Sequence, residues 1–225
     1  MNEISSTKVA VEWICDLRLD SWPARYQQGD TCAVYAATAL HELARFESIA
    51  RFLSDESLWE ACQLNMRFGG LTLETVDNAL GGTGQCGEHD FNTSVERTKP
   101  FRLSLYQHLR WYKARIVEIP VSISRIANAL SRGNGVLLGL RLAESFYYPT
   151  AEGVIRTSSD DYVANKSHAV AIVGQVRIDG EDYFLVRNSW GPTWGDSGYG
   201  LITAGYVDKF GQAAAVVFSV DGQER

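Results

Sequence analysis

The repeat of apolar residues changes near the middle of the chain, and that change limits the folds open to it. From Cys32 to about Phe46, Val34, Ala37, Leu40 and Ala44 approximate one stripe, the spacing of a helix packed on one side. Asp30 or Thr31 stands where an N-cap would, and Ser54 does the same for a second helix, followed by Asp55 and Glu56 at the positive end of its dipole. Thr72 opens a third helix, and Gly81-Gly82 closes it. Later residues read differently. Short apolar runs at 136–140, 169–175, 183–186, 199–203 and 214–219, punctuated by Gly, Asp and Pro, predict strands. One helix interrupts them, with Ile123, Ile126, Ala127 and Leu130 on a single face. Helices first and strands later predict an α+β protein with a helical lobe and a sheet lobe. A cleft between two such lobes is a usual place for an active site.

Charge narrows the partners. The net charge of -6 and a pI near 5.3 argue against nucleic acid, whose binders present a basic face. The first residues, Met1-Asn2-Glu3-Ile4-Ser5, lack the charged-then-apolar pattern of a secretory signal. No apolar run approaches the roughly 20 residues that span a bilayer. These features predict no membrane span and a cytoplasmic protein, or one exported by a route that needs no signal peptide. Four cysteines, Cys15, Cys32, Cys62 and Cys86, make neither a disulfide framework nor a Cys/His metal pattern. No metal and no cofactor is expected, and Cys15, Cys62 and Cys86 read as small buried hydrophobes.

Cys32 differs because it sits at the first turn of the first predicted helix. The partial positive charge there favours a thiolate, the reactive form of the side chain. A cysteine nucleophile needs a base. His41 lies on the same helix nine residues on, beyond reach, while His89 and His108 fall in polar or amphipathic stretches. His168 opens the apolar run 168–174, at the lip of the predicted sheet. Asn188 ends the next strand, twenty residues later, where its amide oxygen can accept the imidazole N–H. Cys32, His168 and Asn188 therefore fit the roles of nucleophile, base and orienter.

The same residues carry a family resemblance. The stretch 188–200, Asn-Ser-Trp-Gly-Pro-Thr-Trp-Gly-Asp-Ser-Gly-Tyr-Gly, resembles the NSWGxxWGxxGY signature of papain-like cysteine peptidases. Ser167-His168-Ala169-Val170 resembles the family's histidine segment, and Gln28-Gly29 with Cys32-Ala33 the region of its nucleophile. Leu53-Ser54-Asp55-Glu56-Ser57-Leu58 resembles a family helix start, and Gly69-Gly70 the glycine pair that binds the peptide backbone. The order Cys, His, Asn agrees as well.

The resemblance implies a papain-like fold. Residues 20–113 would form the helical lobe carrying the nucleophile, and 114–225 an antiparallel sheet or barrel lobe carrying His168 and Asn188. Residues 1–19 would pack across both. It also implies hydrolysis of peptide bonds in a peptide or protein substrate through a thioacyl intermediate, starting from a Cys32 thiolate and His168 imidazolium. Gln28 would complete an oxyanion hole with the Cys32 backbone N–H, and Trp190 would shield the His168–Asn188 bond. The oligomeric state is not implied.

Four departures qualify this. Gln28 lies four residues before Cys32, a shorter spacing than the family's, which leaves Gln27 as an alternative. Ala33 replaces the usual tryptophan and Ser167 a frequent aspartate. The family's pro-segment is missing, so the expectation is a propeptide-less, bacterial or intracellular member. Two other readings use the same residues: acyl transfer or deamidation, and a catalytically weak papain-fold binding protein.

Overall fold

The computed structural model describes residues 10–45, 52–66, 71–91, 102–156 and 163–220. In chain order its elements are β1 (Val11–Asp16), α1 (Cys32–Ala44), α2 (Asp55–Asn65), α3 (Leu73–Gly82), β2 (Gln85–Cys86), β3 (Trp111–Tyr112), β4 (Ala114–Ile119) and α4 (Ile123–Ser131). Then follow β5 (Val136–Ala143), α5 (Glu144–Tyr147), β6 (Val154–Ile155), β7 (Val163–Ile178), β8 (Glu181–Arg187), β9 (Tyr199–Thr203), α6 (Ala204–Phe210) and β10 (Gly211–Ser219).

Local chemistry sets the helix starts. Ser54 Oγ accepts from the Ser57 N–H at 3.0 Å, and Thr72 Oγ1 from the Thr75 N–H at 3.1 Å, so each cap satisfies one orphan donor of the first turn. Thr31 occupies the N-cap position of α1 but does not cap with its side chain; its hydroxyl donates to the Gln28 carbonyl at 2.8 Å.

The first helix differs from the one-sided stripe expected of it. Val34, Ala36, Ala37, Thr38, Ala39, Leu40, His41 and Glu42 are all buried. The helix is wedged between the sheet, through β5, β7 and β10, and the helices α2 and α3. Its alanines supply helix propensity and let backbone approach backbone, which explains why the stripe is blurred in the sequence.

Eight strands form one sheet in the order β4-β10-β5-β7-β8-β9-β6, with β1 added along β7. All pairs are antiparallel except β6 with β9. Side chains alternate between two apolar clusters. Leu138, Leu140, Val170, Ile172, Phe184, Val186 and Ile202 face Phe146, Trp194, Tyr206 and Phe210 on one side. Leu137, Ala169, Ala171, Val173 and Leu185 face α1, α2 and α3 on the other. Burial on both faces is why these strands read as unbroken apolar runs rather than alternating ones. Each fully buried Leu, Val or Phe contributes about 1.5–3 kcal/mol of transfer free energy.

His168 does not open its strand, as the apolar run implied, because β7 begins at Val163. At His168 the strand pairs with Leu140 of β5, whereas pairing with β8 begins only at Ala171. One edge of β7 is thus free of β8 around residue 168, and that edge reaches the start of α1.

Candidate active site

A short segment before α1 builds the site by clamping the loop after β8. The Gln27 N–H donates to the Ser189 carbonyl at 2.7 Å, and the Gly191 N–H to the Arg25 carbonyl at 2.9 Å. Tyr26 and Trp190 form a bridge between the two segments. Gly191 is required there: its φ is +81°, and a Cβ would lie 2.0 Å from Cζ of Tyr26.

Buried charges hold the segment in turn. Arg25 pairs with Glu42 of α1 at 2.9 Å and with Asp55 of α2 at 2.8 Å, and reaches Glu88 at 3.4 Å. The Trp22 indole N–H also donates to Glu42, and the Leu53 N–H donates to it at 2.8 Å. Arg187, at the end of β8, donates to the Pro23 carbonyl and lies 4.2 Å from the Trp22 ring. Helix, N-terminal segment and sheet are therefore locked together just behind the site. Burial pushes the Asp55 carboxyl up to about 7 despite Arg25, and raises that of Glu42, because two desolvated carboxylates share one guanidinium.

His168 and Asn188 meet as expected. Asn188 Oδ1 accepts from the backbone N–H of Ser189 at 2.8 Å, which fixes the amide orientation. The 2.7 Å contact from His168 Nε2 to the same oxygen must then be a donated N–H, so Nε2 carries the proton and Nδ1 is left for chemistry. Trp190 is half-buried with its ring 4.8 Å from the imidazole, and Phe146 meets His168 edge-on at 5.9 Å. Asn188 Nδ2 is buried without a hydrogen-bond partner among the described residues. Asn188 also lines a small cavity with Arg25, Tyr35, Ala169, Arg187 and Ser189.

Cys32 is half-buried at the N-terminus of α1, and the backbone N–H groups of Ala169, Ala33 and Cys32 itself favour its thiolate. The Ala169 contact brings the sulfur beside the residue that follows His168. Burial outweighs these donors and raises the thiol, against the lowering that the helix position alone implies. Burial likewise pushes His168 down to about 4, opposed by its bond to Asn188. Neither group favours a charge by itself. Among the described residues no hydrogen bond joins the thiol to Nδ1, so the sulfur's partners are backbone amides.

A pH test follows. Unfolded, a histidine binds its proton near pH 6.5, whereas folded His168 does so near 4. The unfolded state therefore takes up the proton first as pH falls. The contribution of His168 to stability is full above about pH 6.5 and is lost toward pH 4, by about 3 kcal/mol. Asp55 and Glu42, with raised values, act with the opposite sign, so the histidine is isolated by difference. Urea unfolding of Cys32→Ala and of Cys32→Ala/His168→Gln at pH 7 and pH 4 is expected to show an acid loss about 3 kcal/mol larger in the former. Equal losses would mean that the imidazole is solvated.

Other predicted residues divide clearly. The Gln28 side chain is exposed and makes no hydrogen bond among the described residues, while Gln27, its neighbour, is fixed. Gln27 Oε1 accepts from Ser189 Oγ and Nε2 donates to the Gly29 carbonyl, both at 2.7 Å. Gly69 and Gly70 lie outside the described residues. His41 is buried against Gln85 at 3.1 Å, and His89 and His108 are exposed. All four cysteines are free, Cys62 and Cys86 fully buried. Sequence reasoning missed the Arg25–Glu42–Asp55 cluster and α5, whose Phe146 and Tyr147 pack on Trp190.

Comparison with known proteins bears on the family and the fold. The family model described as papain family cysteine protease matches residues 31–220. Peptidase 1 of Dermatophagoides farinae is 37% identical over 89 residues, 38% of this chain and 27% of that protein. Cysteine protease of Blomia tropicalis is 29% identical over 117 residues, covering 51% of this chain and 32% of its own length. The matched stretch thus spans about a quarter to a third of these curated relatives. Among solved structures, xylellain, a cysteine protease from Xylella fastidiosa, superposes with a TM-score of 0.71 at 18% identity, covering 92% of this chain and 85% of the other.

Proposed function

This chain belongs to the papain family of cysteine proteases, and from that premise we propose that it hydrolyses peptide bonds through a thioacyl intermediate on Cys32. The observation that carries the reading is the oriented His168, with Nε2 tied to Asn188 and Nδ1 open beside the strand whose amide touches the Cys32 sulfur. Because burial penalises each charge alone, thiolate and imidazolium form together as the proton passes from Sγ to Nδ1. At about 4 Å and an effective dielectric near 20 their attraction returns about 4 kcal/mol, roughly three pKa units.

The thiolate then attacks the scissile carbonyl carbon, forming the S–C bond and moving the carbonyl electron pair onto oxygen. Collapse of that intermediate breaks the C–N bond as His168 protonates the leaving amine. Neutral His168 next takes a proton from water, whose oxygen attacks the thioester. The S–C bond breaks, the carboxylic acid leaves, and the proton returns to the thiolate side of the pair.

The oxyanion needs donors fixed before the reaction. The Cys32 N–H supplies one. We assign the side-chain donor to Gln27 rather than Gln28, since its amide is held by Ser189 and Gly29 next to both Asn188 and the turn into α1. Gln27→Ala is expected to lower kcat by about 10²–10³, the usual effect of one lost donor, whereas Gln28→Ala stays near wild type. The reverse order of effects would return the role to Gln28.

Product analysis tests the reaction type. Incubation of a peptide in ¹⁸O-labelled water is expected to give an acid product carrying the label, and no product with Cys32→Ala. Amide-linked transfer products without label would establish acyl transfer instead.

A further inference from the structure

Cleavage through Cys32 and His168 gives the cleft a direction. The acyl half of the substrate is attached to Sγ, and the amine half leaves toward the group that protonates it. The residue after the scissile bond therefore lies on the His168 side, and aromatic rings continue outward from there. Trp190 lies 4.8 Å from His168, Tyr147 stacks on Trp190 at 5.3 Å and 22°, and Tyr148 lies 6.4 Å from Tyr147.

Burial falls along this series. His168 is 5% exposed, Tyr147 38% and Tyr148 77%, the largest exposure among the large apolar side chains described. An exposed aromatic pair of this kind has a local cause. The short helix α5 packs Phe146 inward, onto Trp194 at 5.1 Å and Tyr206 at 6.0 Å, and the Trp194 indole N–H caps the Phe146 carbonyl at 3.0 Å. With Phe146 anchored, the next two residues are carried to the surface beside the site.

Resting on the proposed hydrolysis, we infer that Tyr147 and Tyr148 form a binding subsite for the leaving half of the substrate, selecting a flat apolar side chain, above all an aromatic one, directly after the scissile bond. Tyr147, stacked on Trp190 on one side and still 38% exposed, and Tyr148, 77% exposed, gain from a partner that covers them with another ring. A charged or very small residue at that position would leave them wet.

Peptides sharing their acyl half and differing only in the residue after the cut (Phe, Tyr or Trp against Gly) test this. Wild type is expected to show kcat/KM about 3–10-fold higher for the aromatic peptides, the range one aromatic pair supplies. In Tyr147→Ala that ratio falls to about 1, while Tyr147→Phe retains it and Tyr148→Ala lowers it in part. Absence of an aromatic preference in wild type, or equal loss on aromatic and glycine peptides in Tyr147→Ala, would overturn the inference; the latter would make Tyr147 a support for Trp190 only. If no peptide is cut, the hydrolytic reading has failed separately. The subsite is then read by NMR titration of Cys32→Ala with Phe-Gly amide against Gly-Gly amide. Tighter binding of the aromatic amide, lost in Tyr147→Ala, supports it, and equal binding overturns it.

Discussion

Replacing Arg25 with methionine is expected to cost about 3–5 kcal/mol of folding stability at neutral pH, the usual effect of removing one partner from a buried ion pair. The guanidinium is the direct counter-ion of Glu42 and Asp55, whose side chains are 1% and 14% exposed. Methionine fills much of the volume but leaves both carboxylates without their cation. The deficit also has a pH signature. Asp55 is already pushed up to about 7 by burial and Glu42 is raised, so in the folded state both take a proton more readily than in the unfolded chain. For such groups, stability from protonation is present at low pH and lost as pH rises through the folded value. Without Arg25 the carboxyls protonate still more readily, so the deficit is largest above pH 7 and narrows toward pH 5. Urea unfolding of both proteins at pH 8 and pH 5 measures it. A pH-independent deficit under about 1 kcal/mol would place the cluster in water rather than in the core. The consequence reaches the site, because Arg25, Tyr26 and Gln27 are the residues that clamp the loop from Ser189 to Gly191.

His168→Ala is expected to lower kcat/KM by about 10²–10⁴, the range of a positioned general acid and base. In the proposed hydrolysis one imidazole accepts the thiol proton, protonates the leaving amine and activates water, a set of roles that no other described residue is placed to take over. His41, the nearest alternative in sequence, is engaged with Gln85 in the core. A loss below about 10-fold with a peptide substrate would mean that chemistry does not pass through this histidine.

The parts of the molecule legible in the sequence are those governed by local rules. Ser54 and Thr72 cap helices because a hydroxyl three residues before a free N–H does so in any context. The motif from Asn188 to Gly200 is readable because tight turns and a packed indole demand glycines and tryptophans at fixed offsets. The rest depends on partners distant in the chain. Glu42 meets Arg25, Trp22 and Leu53 through contacts no periodicity encodes. The strand β4 alternates weakly, and only its pairing with β10 defines it. Gln27 and Gln28 are chemically identical neighbours, and the choice between them rests on Ser189, 162 residues away. The helix position of Cys32 spoke for a low thiol pKa, but sequence cannot show that α1 is buried all round, and burial wins.

The central claim is that His168 activates Cys32, and cysteine-selective labelling tests it most directly. Burial pushes Cys62 up to about 12 and Cys86 up to about 11, and raises Cys15 and Cys32 as well. What distinguishes Cys32 is its contact with the Ala169 backbone, next to His168, whose Nδ1 has no hydrogen bond among the described residues, together with the other backbone donors on its sulfur. Treatment with a peptidyl epoxide, followed by intact mass and peptide mapping, is therefore expected to give one adduct, on Cys32, that disappears in His168→Ala. No adduct, or equal labelling of Cys15, Cys62 and Cys86, would contradict the account.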